Sequence, residues 1–138
     1  MELILTVGVL IIKEGNVLLV RHGERAGHLT GVYGLPAGRI EKGENEKNAA
    51  VRELLEETGL VASSEDLTEY PNDVYTADIK RKDGTTKRFQ IKVFICRHWS
   101  GALRGSDEAT PEWVEIAKLD EYNLLPNVKE IVLREVRW

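Results

Sequence analysis

The stretch Asn45 to Thr58 constrains the fold most, because it admits one regular structure. Ala50, Val51, Leu54 and Leu55 form an apolar stripe at helical spacing, the residues between them are good helix formers, and Gly59 supplies a stop just past the end. That helix carries an electrostatic problem. Glu53, Glu56 and Glu57 fall at i, i+3 and i+4 and project from one side. Like-charge pairs at that spacing cost about 0.2–0.5 kcal/mol each, in the half of the helix where the dipole also disfavours anions. Arg52 reaches Glu56 along the helix, but one guanidinium does not neutralise three carboxylates. Glutamates on a helix are ordinarily a solvated face; a divalent ion is the alternative that removes the repulsion. Hard oxygen donors with neither histidine nor thiolate nearby select Mg²⁺, or secondarily Mn²⁺, rather than zinc.

Around this helix the chain reads as strands. Leu3 to Ile12 and Val17 to Arg21 flank the turn composition Lys13-Glu14-Gly15-Asn16, which predicts a hairpin. His22 to Gly34 holds Gly23, Gly27, Gly31 and Gly34 among polar residues and reads as a long functional loop flanked by His22 and His28. Asp78 to Lys82 and Lys87 to Trp99, joined at Asp83-Gly84, predict a second hairpin in which Phe89, Ile91, Val93 and Ile95 alternate against Gln90, Lys92 and Phe94. Trp113 to Ile116 is a short strand. Pro126-Asn127 opens a C-terminal helix with Val128, Ile131, Val132 and Val136 on its apolar face.

With 138 residues, 42% hydrophobic and 30% charged, residues 1–138 are expected to form one domain with a real core. A net charge of -4 argues against sequence-independent binding of nucleic acid, and Arg81, Lys82, Lys87 and Arg88 read as a solvated turn. The lone Cys96 makes no intrachain disulfide and fits a reducing, cytoplasmic setting. The apolar opening has Glu2 where a targeting segment is basic, and it is far short of the ~20 apolar residues of a membrane span. It reads as a buried strand.

The acidic helix belongs to a longer pattern. Gly38, Glu44, Arg52, Glu53, Leu54, Glu56, Glu57, Gly59 and Leu60 satisfy G-x5-E-x7-R-E-U-x-E-E-x-G-U, with U a bulky apolar residue. At about 0.06 for each fixed residue and about 0.3 for each apolar one, a random match is on the order of 10⁻⁸, which removes the solvated-face reading. This is the Nudix box, and the chain resembles a Nudix hydrolase. The resemblance extends to the Leu35-Pro36-Ala37-Gly38 entry and to Ser106-Asp107-Glu108-Ala109-Thr110-Pro111-Glu112-Trp113. It implies an α/β fold, the Nudix α/β/α sandwich with a mixed β-sheet between helices. It also implies hydrolysis of a nucleoside diphosphate linked to another moiety, with Mg²⁺ held by the box.

Carried over residue by residue, the resemblance makes Glu56 and Glu57 metal ligands with the backbone carbonyl of Ala37. Glu53 becomes a ligand or the base, Arg52 its orienting partner, and Glu44 an outer ligand or merely a helix-start acid. Glu108 takes the place of an acid that relatives bring from outside the box, with Asp107 and Glu112 as competitors, so the base is Glu53 or Glu108. Gly38 and Gly59 are expected at backbone positions requiring positive φ. Arg39 and Arg21 are candidates for substrate phosphates. Tyr33, Phe89 and Trp113 are candidates for stacking on a base, and Asn127 for recognising it or capping the last helix.

The first substrate class implied is a nucleoside triphosphate or deoxynucleoside triphosphate, cut to monophosphate and pyrophosphate as in MutT-like members. ADP-ribose or a nucleotide sugar is the second, although Pro71 stands too close to the box to be the proline of that class. A dinucleoside polyphosphate is also open, since Tyr75 lies near a tyrosine of such enzymes. A catalytically silent nucleotide sensor is a different class, in which losses among Glu53, Glu56 and Glu57 are expected; all three are present. The expected partner is a small nucleotide, bound by a monomer or homodimer, with no membrane.

Overall fold

The computed structural model describes residues 2–136, with residues 70–73 described as backbone only. Its order is β1 (Leu3–Leu10), β2 (Ile12–Lys13), β3 (Asn16–His22), β4 (Tyr33–Gly34), β5 (Ala37–Arg39), α1 (Glu46–Thr58), β6 (Leu67–Lys80), β7 (Thr86–Cys96), β8 (Ala109–Glu115) and α2 (Val128–Val136), with 3₁₀ turns at Ser64–Asp66 and Ile116–Glu121. One four-stranded sheet runs β5-β1-β7-β6 and is mixed, β1 and β7 being parallel while β1–β5 and β6–β7 are antiparallel. In the other, β3 pairs with β8 along one edge and with β2 and β4 along the opposite one.

The expected N-terminal hairpin shrinks accordingly. Only Ile12–Lys13 folds back on Asn16 and Val17, while β1 takes partners far along the chain, Leu3 opposite Arg88 and Leu10 opposite Ile95. A strand buried on both faces has no polar alternation to declare its partner, and the Glu14-Gly15 turn fixes only its nearest residues. The second hairpin is present, but β6 begins at Leu67 and crosses a register shift between Glu69 and Val74.

Alternation along the strands divides the core into two clusters. Val7, Val9, Leu18, Phe94 and Cys96 meet Ala49, Ala50 and Leu54 of α1, whereas Leu10, Val17, Leu19, Val93 and Ile95 meet Val128, Ile131 and Val132 of α2. That gives a helix on each side of a β layer. In α1 the Asn45 side chain accepts from the Asn48 N–H at 2.8 Å, and Gly59, at φ 83°, donates its N–H to the Leu55 carbonyl. The buried stripe is Ala49, Ala50, Leu54 and Thr58, so Leu55 lies exposed, one step off the expected face. Leu54 is fully buried, and Leu54→Ala is expected to cost about 2–5 kcal/mol in urea unfolding with the slope m unchanged. Among the described residues no helix is long and apolar enough to cross a membrane.

Candidate active site

Pairing of β1 with β5 sets Gly38 opposite Val7 and Ala37 opposite Gly8, which brings β5 beneath the acidic face of α1. The Ala37 N–H donates to Glu57 Oε1 at 2.7 Å. Burial pushes the Glu57 carboxyl up to about 8 against the pull of that N–H, and Glu53, Glu108 and Glu56 lie close enough to raise it further. Burial also raises Glu53, although Arg52 opposes it. Acids from two distant segments thus come within electrostatic reach of one another, and among the described residues Glu57, the most buried of them, stands at ion-pair distance from no cation.

Arg52 organises the rest. Its Nε and Nη2 grip both oxygens of Glu44 at 2.8 and 2.9 Å, and its Nη1 donates to Glu53 at 2.7 Å and Glu56 at 3.3 Å. Nη2 also reaches the Arg39 carbonyl at 3.0 Å, tying α1 to the end of β5. The bidentate pair holds Glu44 down at about 2, so this carboxylate is committed to Arg52. Glu53 and Glu56 lean on Arg52 and Glu57 on the Ala37 amide. Among the described residues no three such side chains stand together as a ready-made metal-binding set. The donor chemistry nevertheless fits a hard divalent cation: carboxylate oxygens only, one deeply buried, mutually repelling.

Gly38 has a role other than the one expected. It does not adopt a left-handed φ; instead a Cβ at Gly38 would overlap the Glu53 carboxyl group. The glycine is what lets Glu53 lie flat on β5.

A cavity of about 240 Å³ opens beside the acids, and Glu57, Glu108, Ala37, Gly38 and Arg39 are in its wall. Asn127 is there too, because Leu125 N–H donates to the Tyr33 carbonyl and so draws the start of α2 to the cavity. At φ 74°, Asn127 also receives the first bond of α2 from Ile131 N–H, so it occupies the helix start and the cavity at once. The structure does not bring Arg21 or Tyr33 to this wall. Arg21 points outward from β3, and Tyr33 packs edge-on to Tyr122 while its hydroxyl donates to Glu112 at 2.9 Å. Asp107 sits 3.7 Å from Arg25, leaving Glu108 as the acid of its segment that faces the cavity. Of the aromatic candidates Phe89 lines the cavity, whereas Trp113 packs under α1. The side chain of Pro71 lies outside the described residues.

One wall joins residues singled out in the sequence, His22, His28 and Phe89, to one that was not, Arg81. His22 and His28 meet edge to face at 4.9 Å, and His28 lies 5.4 Å from Phe89. Burial, with Arg81 nearby, lowers each histidine to about 4, so both are neutral at pH 7. Arg81 itself, read as part of a solvated turn, enters the cavity over the Phe89 ring at 5.3 Å. The signal was hidden because a polar hairpin tip looks the same whether it meets water or a loop 54 residues away.

The NUDIX domain model matches residues 2–136. The chain is 32% identical over 137 residues to Nudix hydrolase 25 of Arabidopsis thaliana, covering 96% of this chain and 69% of that protein. It is 32% identical over 113 residues to an oxidized purine nucleoside triphosphate hydrolase of Danio rerio, covering 80% of this chain and 65% of that protein. The chain thus spans about two thirds of the length of these curated relatives. The crystal structure of a MutT protein from Methanosarcina mazei Go1 matches it with TM-score 0.80 at 25% identity, covering 98% of this chain and 94% of that one. The box, the acids it gathers and the fold that presents them have one common source: this chain belongs to the Nudix family and is a Nudix hydrolase.

Proposed function

We propose that the chain, acting as one domain in a cytoplasmic setting, hydrolyses a nucleoside or deoxynucleoside triphosphate to the monophosphate and pyrophosphate with Mg²⁺. The observation that carries this reading is the buried Glu57, within electrostatic reach of Glu53, Glu56 and Glu108 and in the cavity wall with Glu108. At about 240 Å³ the cavity is smaller than the ~300–1,000 Å³ of a full ligand pocket, which suits a base with the phosphates lying outward along the acids. The similarity to a relative named for triphosphate hydrolysis supports the same choice.

Glu53, Glu56, Glu57 and Glu108 would hold the ion, with the Ala37 carbonyl. Bound there, a divalent cation neutralises nonbridging phosphate oxygens and lowers the cost of deprotonating the attacking water. The chain's own residues do the rest. Arg52 fixes the direction of Glu53, and the raised basicity of Glu53 suits it to take the water's proton as the oxygen adds to phosphorus and the bridging P–O bond breaks. Glu108 is the competing acceptor. Arg39 faces the phosphates and Asn127 the base, while Arg21 and Tyr33 are left to surface and core.

The test is a substrate panel with Mg²⁺: NTPs, dNTPs, 8-oxo-dGTP, ADP-ribose, nucleotide sugars and diadenosine polyphosphates, with products identified chromatographically. Monophosphate plus pyrophosphate is expected from a triphosphate, falling about 10³-fold in Glu53→Gln, which is ~4 kcal/mol of barrier. A larger loss in Glu108→Gln assigns the base to Glu108. Turnover confined to diadenosine polyphosphates favours the dinucleoside polyphosphate reading, for which Tyr75 in the cavity wall speaks. Turnover confined to ADP-ribose moves the chain to the nucleotide-sugar class. Binding without any turnover makes it a sensor.

A further inference from the structure

Arg81 is placed as few surface arginines are. Its Nε donates to the Gly27 carbonyl at 3.1 Å, its guanidinium covers the face of Phe89, and it lines the same cavity as Glu57 and Glu108. Burial and the neighbouring Arg39 both work against its charge. Asp83, the acid that favours its charge, is engaged by Thr85 through both N–H at 2.9 Å and Oγ1 at 2.6 Å. Among the described residues neither Arg39 nor Arg81 stands at ion-pair distance from a carboxylate.

The chain is also shaped to seat this group. A Cβ on Gly27 would overlap the Arg81 guanidinium, so the glycine serves a close approach, as Gly38 does for Glu53. Lys82 then fixes the loop: its N–H donates to the Gly27 carbonyl at 3.1 Å, and its Nζ to the carbonyls of Gly23 at 3.0 Å and Glu24 at 2.6 Å. Two mutually repelling cations in one cavity wall, an exposed Arg39 and a partly buried Arg81 with a glycine and a lysine clasp devoted to it, form an arrangement that an anion completes.

We propose that Arg81, seated by Gly27 and acting with Arg39, is an anion subsite in the cavity wall that binds a phosphate group of the substrate. This rests on the nucleotide-hydrolase reading above and adds to it a residue that sets how many phosphates the substrate must carry. A nucleoside with a longer polyphosphate reaches the subsite; a monophosphate product does not, which favours its release.

Two probes separate the phosphate from the base: inorganic pyrophosphate and the unphosphorylated nucleoside, each titrated by NMR into the Mg²⁺-loaded protein. Arg81→Gln is expected to weaken pyrophosphate at least about tenfold, the loss of one charge-assisted hydrogen bond, while nucleoside affinity stays within about twofold. Arg81→Lys should restore part of it. Gly27→Ala should copy Arg81→Gln without touching the arginine, and circular dichroism verifies that each variant is folded. Unchanged pyrophosphate affinity in folded Arg81→Gln overturns the proposal. So does equal loss for pyrophosphate and nucleoside, which would make Arg81 a wall that orders Gly27 and Phe89. Wild-type protein that binds nucleoside but not pyrophosphate overturns the subsite alone; protein that binds neither overturns the nucleotide reading with it.

Discussion

Glu57→Gln is expected to lower kcat about 10³-fold or more, ~4 kcal/mol of transition-state stabilisation, and at the same time to make the metal-free protein more stable at pH 8. Both effects come from one buried carboxyl held at about 8 by burial and by Glu53, Glu108 and Glu56. From the usual carboxylate range up to about 8, the native state keeps a proton that the unfolded chain has lost, so unfolding releases a proton and stability falls as pH rises. Below that range both states are protonated and the penalty vanishes; above about 8 it is constant. At about 1.4 kcal/mol per pH unit the full effect is of the order of a few kcal/mol.

Other groups shape the same curve with the opposite slope. His22 and His28, each held at about 4, stay neutral where the unfolded chain takes up protons, so their penalty grows as pH falls from about 6.5 toward 4. The window from pH 6.5 to 8 is therefore where Glu57 is read most cleanly. Thermal melts of wild type and Glu57→Gln in chelator should diverge through that window, the glutamine protein melting higher and losing the downward slope. Divalent metal should reverse the order: a site with a hundredfold excess of ligand over Kd stabilises wild type by about 2.7 kcal/mol, and the variant gains less. Equal melting at pH 8 in chelator would show that Glu57 bears no desolvation penalty, and the case for a buried metal ligand would go with it.

How far the sequence disclosed this arrangement depends on whether the deciding contact is local. Helix α1 was legible within one residue because its cap Asn45, its Glu53-Glu56-Glu57 face and its Gly59 stop lie within fifteen positions of one another. The partners of β1 were not, since Arg88 to Ile95 lie more than eighty residues on, and an unbroken apolar run pairs equally well with any buried strand. The acids of the box were named from their spacing. Their division, with Glu44 given wholly to Arg52 and Glu57 to the Ala37 amide, follows from a β5–α1 contact that spacing does not encode. Arg21 was a candidate for substrate phosphates as a cation at the end of a strand, and Tyr33 for stacking on a base as an aromatic. Strand pleating turned Arg21 to solvent and left Tyr33 packed in the α2-side core. Arg81 escaped for the converse reason: its neighbours Gly27 and Phe89 come from a loop and a strand that only the fold brings together.

The two glycines of the box should fail in opposite ways. Gly38 lies in β5 with ordinary extended-strand partners and no left-handed φ, and the nearest atoms an alanine methyl there meets are the flexible carboxyl end of Glu53. The side chain can swing away, so Gly38→Ala should leave stability unchanged or raise it by up to about 1 kcal/mol, because alanine has less unfolded-state entropy to lose. Activity should nevertheless fall about a hundredfold, ~2.7 kcal/mol, since Glu53 is displaced from its place above β5 and from the orienting Arg52. Gly59 is the reverse case. At φ 83° it ends α1 in the left-handed region, and a Cβ there lies 2.6 Å from the Ala102 carbonyl oxygen, which is backbone and cannot step aside. Gly59→Ala should therefore cost at least about 1–2 kcal/mol for the backbone conformation alone, seen as a lower melting temperature, while the folded fraction keeps most of its kcat. Chemical denaturation and single-turnover rates on the same preparations decide it. A Gly38→Ala protein that is unstable yet fully active when folded would place Glu53 outside the chemistry, and the proton would then belong to Glu108.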